Sequence, residues 1–587
     1  MISIPRSPVI KLVILCFITL SVITLTARHR DSFDKDYWTF KQERDDYRSR
    51  QQHQQELNEL EKLQPKLPLE HETPGTFEVP EDLYLTHDVA IPHSIPAWTR
   101  ADTNMLDTVM GLTLKTQLLH KEYGKNDDLS NQPFERLDFA ELSRAERVYK
   151  ALWNHVLPLY QSLSGRERDR VRQLKQLAKT RPEVDFFLRL EKRLFPWLHY
   201  GRSTSFELQQ NYKGRGLVFC AGNGQFEFVI TAIQAVRNRL KSTLPIQVFH
   251  MGEGDLSKDR QDYLRNMASD IEIVDVTKIL DNDYMRLGGW AIKPFAMLAS
   301  TFEEVMFVDA DAYFLQDPVV LFDDPGYKAT GALFFFDRTL FADQPRAPDW
   351  IKSMLPITSS FPPKSRMFNL LSAHEQESGV VLINKKTRFL GMLATCKMNG
   401  KWERDLVSYK VFHGDKETFW VGFEMIQDPY AFMRNYGGVI GELRPDNAKS
   451  VCGAQLHEDH KGQPLWWNGG LYRNKNAGVT RNLDFGYWMS GGGHQKHRER
   501  FTRDRDTMIE VLTDLGLGSS DELTVEPRDP EWDFGESCLA GGPVRPLSER
   551  EKTLANGYIG IDKVAREDGE RAKAGQPIDP KHDWDNV

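Results

Sequence analysis

Residues 303–318 read EEVMFVDADAYFLQDP, an apolar run at 305–308 closed by two aspartates one residue apart, Asp309 and Asp311. Like charges that close repel, so something positive has to offset them. What precedes the run decides the fold. From Gly214 onward, β-rich runs alternate with amphipathic helices: GLVFCAGNG then a helix through FVITAIQAVRNRL, PIQVFHMGEGD then a helix in SKDRQDYLRNM, IEIVDV then a helix around IKPFAMLASTF, and finally EEVMFVDAD. Strand, helix, strand at this spacing predicts parallel pairing through right-handed crossovers, with both faces of the sheet covered. The expected class is α/β with a Rossmann-like sheet. Ligands of such sheets bind at the carboxyl ends of the strands, where Asp309 and Asp311 fall.

Asp-x-Asp alone says little, because the chain repeats it at Asp34/Asp36, Asp281/Asp283, Asp504/Asp506 and Asp583/Asp585. Only Asp309/Asp311 follows an apolar strand at the end of a βα series. Two carboxylates fixed there make a hard-oxygen site for Mn²⁺ or Mg²⁺, with a nucleotide diphosphate completing the octahedron. The plain alternative is a pair of surface aspartates capping a turn. A haloacid-dehalogenase-type phosphohydrolase also carries such a pair, but that fold usually starts with its aspartate strand, whereas three strands precede this one, and Tyr313 stands where it has Thr or Val. The loop Gly222-Asn223-Gly224 lacks the third glycine of a dinucleotide fingerprint, since Glu227 occupies it. It reads instead as a loop after the first strand that lets backbone approach a nucleotide, with Gly222 at its start.

Working outward, 587 residues with 40% hydrophobic content can fill a large core. Seventy-six basic against 84 acidic residues give a net charge of −8, which offers no electrostatic case for a nucleic-acid partner. The stretch 12–27 is apolar and flanked by Arg6, Lys11, Arg28 and Arg30. It spans only ~24 Å as a helix, or about 28 Å if counted from Val9 with Lys11 snorkelling, which suits a thin endomembrane. A cleaved signal peptide ending near Ala27 is the alternative, disfavoured by the lack of a small-x-small site. The expected organisation is a cytoplasmic tail (1–11), an anchor (12–27), a polar stem (28–100), a helical subdomain (101–210), a catalytic domain (211–545) and a C-terminal tail (546–587), charged and mobile from Ala565 onward. Four cysteines outside the anchor, Cys220, Cys396, Cys452 and Cys538, allow three pairings in an oxidising lumen, and none is selected by the sequence.

Five phrases in order, GLVFCAGNGQFEFVITAIQAVRNRL, LGGWAIKPFAMLASTFEEVMFVDADAYFLQDP, QESGVVLINKK, GDKETFWVGFEM and VCGAQLHEDHKGQPLWWNGG, resemble the fungal α-1,3-mannosyltransferases, across residues 214–471. The resemblance implies an A-type glycosyltransferase fold in a type II protein of the Golgi membrane with a lumenal head. It implies transfer of mannose from GDP-mannose to a mannose hydroxyl of a glycoprotein glycan, with retention and with Mn²⁺ as the usual metal. Asp309 and Asp311 would hold metal and diphosphate. Lys293, in the helix before their strand, would face the donor as a positive partner. Glu377 and Ser378 would contribute to the acceptor or sugar pocket. Asp415 in GDKETFW would be catalytic, orienting the donor sugar or assisting the acceptor hydroxyl, with a helix N-cap as its alternative and Glu424 as a second nominee. His457, or else His460, would be a third metal ligand. Trp466 and Trp467 would offer a face on which a sugar stacks, or else be core. A scaffold or lectin-like module that kept the fold and lost turnover is the rival reading.

Overall fold

The computed structural model describes residues 95–97, 139–199, 205–473, 481–492, 538–540 and 542–584, apart from 340, 342, 356 and 445–446. The expected anchor, nearly all of the stem, and residues 101–138 lie outside the described residues. Among those described, no helix is long and apolar enough to cross a membrane.

The strands are β1 (Ile95–Ala97), β2 (Arg215–Cys220), β3 (Ile246–His250), β4 (Ile271–Asp275), β5 (Glu304–Val308), β6 (Ala312–Phe314), β7 (Ala332–Phe336), β8 (Gln376–Asn384), β9 (Tyr430–Phe432), β10 (Gly438–Arg444), β11 (Asn447–Glu458), β12 (Pro464–Asn468), β13 (Tyr487–Met489), β14 (Cys538–Ala540) and β15 (Arg545–Pro546). The first sheet runs β1-β9-β7-β8-β5-β2-β3-β4. Its β5-β2-β3-β4 half is parallel, as the βα spacing predicted, and β8 then pairs antiparallel with both β5 and β7. Residues 95–97, assigned by sequence to the stem, correct that boundary: they add an edge strand against β9. A second, antiparallel sheet runs β15-β13-β10-β11-β12-β6, with β14 on β11.

Alternation along β5 explains why the sheet is covered on both sides. Val305 and Phe307 enter one core, Met306 and Val308 the other. The first core is roofed by helices α1 (Phe139–Ser162), α2 (Glu167–Ala178), α3 (Pro182–Leu194) and α4 (Ser205–Asn211), then α7 (Ile292–Ala299), α8 (Phe389–Met398) and α9 (Thr418–Ile426); the second by α5 (Phe226–Gln234), α6 (Lys258–Met267) and the second sheet. The helical region before the sheet therefore shares the sheet's core. The expected mobile tail is corrected too. Residues 549–573 form α10 (Glu549–Lys573), started by a capping box between Ser548 and Glu551 and packed on α5. Ala555, Tyr558, Ile561 and Ala565, buried at helical spacing, carry it, and the charged residues between them hide that stripe in the sequence.

Cys452 and Cys538 form a disulfide between β11 and β14, while Cys220 and Cys396 are free thiols. Its ends lie 86 residues apart, a loop length for which chain entropy gives about 4–5 kcal/mol. Cys452→Ser is expected to lose a large part of that in urea unfolding, and reductant should shift the midpoint of the parent chain but not of the variant. A second prediction concerns α1. Glu146 is fully buried and neither carboxylate oxygen has a hydrogen-bond partner, and burial lifts its carboxyl from 4.5 to about 8. The folded state then holds a proton that the unfolded chain releases, so stability falls as pH rises from about 4.5 toward 8. Glu146→Gln, neutral throughout, is expected to flatten that slope and to be the more stable form at pH 8, read as the melting temperature across pH 5–8.

Candidate active site

Strand β5 ends at Val308, and Asp309 donates its backbone N–H to the carbonyl of Gly379 on β8 at 2.8 Å. That bond fixes the tip of one strand against the middle of another. Lys293 rises from the first turn of α7 and its Nζ lies 2.8 Å from Asp309 Oδ2, 3.4 Å from Ser378 Oγ and 3.7 Å from Asp415 Oδ2. The repulsion between the paired aspartates is thus met, within the protein itself, by an ammonium. Lys293 was expected to face the donor as a positive partner; within the protein its partners are Asp309, Asp415 and the Ser378 hydroxyl. Its side chain is only 9% exposed, and although burial opposes the charge, Asp309 and Asp415 hold the lysine protonated above its ordinary range. Burial lifts Asp309 to about 7 against the pull of Lys293, with Asp311 and Asp415 adding to the lift. Burial likewise raises Asp415.

Asp415 is not a helix cap. Residue 417 occupies the N-cap of α9 with no side-chain capping bond, and Asp415 contributes to that turn through its backbone carbonyl. Its Oδ2 is buried, faces Lys293, and accepts no hydrogen bond. Glu424, by contrast, is spent on structure, accepting from Ser359 and from the Tyr430 hydroxyl at 2.6 Å.

A second charged group adjoins the first through chain neighbours. Lys416 Nζ donates to Asp337 Oδ2 at 2.8 Å and to Glu377 Oε2 at 2.9 Å. Glu377 Oε1 accepts from Asn468 Nδ2 and from the Gly379 N–H, both at 2.8 Å, and Asp337 Oδ1 accepts from Gln455 Nε2 at 2.9 Å. Although burial works against both charges, Lys416 holds Asp337 and Glu377 below the usual carboxylate range. Asp337, Lys416, Gln455 and Asn468 were missed in the sequence. Asp337 carries the same signal as Asp309, an aspartate directly after an apolar strand, ALFFF.

Other expectations are corrected. Trp466 and Trp467 are fully buried: Trp466 packs edge-on to Phe335 and stacks on His457 at 4.1 Å, while the indole N–H of Trp467 donates to the Gly470 carbonyl at 2.9 Å. They are core and offer no sugar a face. The register of β11 on β12 sets His457 opposite Trp466, where burial lowers its imidazole to about 4. It does not join the aspartate pair, and among the described residues no group of three His, Cys, Asp or Glu is arranged to hold a metal. His460 lies in the turn between β11 and β12. Gly222 has a structural reason to be glycine, since a Cβ there would come 2.4 Å from Asp255 Oδ1.

Residues 214–459 match the family model described as "Mannosyltransferase putative". A putative α-1,3-mannosyltransferase of Candida albicans is 28% identical over 377 residues, 53% of this chain and 52% of that protein. An α-1,3-mannosyltransferase of Saccharomyces cerevisiae is 29% identical over 317 residues, 47% of this chain and 49% of that one. The chain thus spans about half the length of these relatives. Among solved structures, a mannosyltransferase of S. cerevisiae in complex with GDP overlaps 48% of this chain and 82% of its own at 11% identity and a TM-score of 0.24. The fold is the α/β arrangement expected from the sequence, a Rossmann-like parallel half continued by antiparallel strands. The aspartate pair, Lys293 and Asp415 all lie inside the segment over which the chain matches that family model and is similar to the fungal α-1,3-mannosyltransferases.

Proposed function

We propose that this protein transfers mannose from GDP-mannose to a mannose hydroxyl of a glycoprotein glycan, forming an α-1,3 linkage with retention and with the help of a divalent cation. The observation that carries the reading is the meeting of Asp309, Lys293, Ser378 and Asp415 at the carboxyl edge of the parallel sheet. The names of the relatives support the linkage, and the hard-oxygen character of the strand tip supports the cation. The donor set fits Mn²⁺ or Mg²⁺ shared with substrate: Asp309 and Asp311 would hold it, the buried Oδ2 of Asp415 adds negative field, and the remaining ligands fall to the donor's phosphates. When bound, the cation would neutralise charge on the departing diphosphate.

The chain's own residues then position and hold charge. Lys293 clamps Asp309 to the strand tip, and Asp415 faces the same space with a free lone pair for a sugar hydroxyl. The acceptor hydroxyl would enter on the face the phosphate leaves and give its proton to the departing oxygen. The organisation that goes with this function is a short tail, an anchor at 12–27 in the Golgi membrane, a stem and a lumenal head.

The test is to incubate the purified full chain with GDP-mannose, Mn²⁺ and a mannose-terminated oligosaccharide, with UDP-sugars in parallel. A product one hexose heavier, removed by an α-1,3-specific mannosidase and absent with EDTA, supports the reading. Binding of donor and glycan without product would favour the lectin-like rival instead.

A further inference from the structure

Four rings form a continuous row on the surface beside the two charged groups. Trp290, 52% exposed, has its ring centroid 5.4 Å from that of exposed His413. His413 is 5.8 Å from His374, and His374 is 5.9 Å from Phe341, itself 51% exposed. The row is tied to the site at several points. Trp290 lies three residues before Lys293, and its indole presses on Gly414, where a Cβ would come 2.7 Å from Cε3. Gly414, with φ at +70°, directly precedes Asp415. His374 sits in the field of Asp337 and Lys416, and its Nδ1 is buried without a hydrogen-bond partner. Large rings are ordinarily buried, and two left half-bare within one row, next to convergent polar groups, mark a binding surface.

We propose that Trp290, His413, His374 and Phe341 form a platform for an oligosaccharide acceptor, holding the sugar units beyond the one that receives the transfer. This rests on the mannosyl-transfer reading above. The chemistry of the row selects a glycan. Apolar faces of Trp290 and Phe341 match the C–H faces of pyranose rings, and the two imidazoles between them offer edges to hydroxyls. A lipid or an apolar helix would ask for an unbroken apolar strip, and two imidazoles interrupt this one. The ring-to-ring step of 5.4–5.9 Å is close to the length of one pyranose unit.

The test compares the full chain with Trp290→Ala, Trp290→Phe and Phe341→Ala, using mannotetraose and methyl mannoside as acceptors. The ratio of kcat/KM for the tetrasaccharide to that for the monosaccharide is expected to fall about tenfold in Trp290→Ala and to be largely restored in Trp290→Phe. Calorimetric titration of mannotetraose without donor is expected to show the same weakening, and it reads the platform apart from turnover. If the parent chain makes no product but Trp290→Ala still weakens tetrasaccharide binding, the transfer reading fails and the platform stands. If transfer proceeds while ratio and binding are unmoved in the alanine variants, or if the parent chain does not bind the tetrasaccharide, the platform is overturned.

Discussion

Exchange of both Asp309 and Asp311 for alanine is expected to lower mannosyl transfer by at least about 10²–10³-fold, the order seen when a preorganised group that stabilises developing charge is removed. The pair sits where the parallel strands deliver side chains to the ligand edge, and no other described carboxylate completes a three-ligand metal set that could take over. The fold should survive, because Lys293 keeps Asp415 at 3.7 Å as a counter-charge. Turnover against Mn²⁺ concentration, with circular dichroism to confirm folding, checks this; a double variant with unchanged rate and unchanged Mn²⁺ affinity would sink the proposed mechanism.

The opposite substitution is expected to damage the fold more than it damages a single chemical step. Lys293→Met leaves Asp309 and Asp415 facing each other without their cation, and removing one partner of a buried pair costs about 3–5 kcal/mol. The sign with pH follows from Asp309. Its carboxyl already sits near 7 when folded, against an ordinary 3.8, so the folded state favours the protonated form and loses stability as pH rises through that window. Without the ammonium that tendency grows. The deficit in melting temperature should therefore be largest above pH 7 and shrink toward pH 5, where a proton takes the lysine's place. Adding Asp309→Asn should recover part of the loss at pH 8. A Lys293→Met protein as stable as its parent at pH 8 would show that the ion pair does not hold the strand tip.

Much of this architecture could be read in advance because the residues that set it are local. A run such as EEVMFVDAD announces a strand and its end, and three helical intervals announce parallel pairing. Asp309 was readable for the same reason, and Asp337 should have been, since ALFFF closes on it in the same way. What stayed hidden depended on register between distant strands. Only the pairing of β11 with β12 turns His457 onto Trp466 and away from the aspartates. Trp467 is similarly claimed by Tyr313, Phe485 and Tyr558, none of them near it in sequence. The aromatic pair therefore read as a sugar platform, while Trp290, a single tryptophan after two glycines, passed unnoticed. Lys293 was found, but its true partners were not, because Asp415 reaches it from 122 positions further along the chain.

The adjacency of Glu377 to Ser378, and of Asp415 to Lys416, carries a consequence for how this site could be remodelled. Two consecutive peptide units each send one side chain to one charged group and the next to the other, so they act as a shared hinge pin between neighbouring compartments. A replacement meant to change which sugar is gripped on one side will tug on the other. Redesign of either preference alone should therefore start from Asp337 or Asn468, which belong to a single compartment.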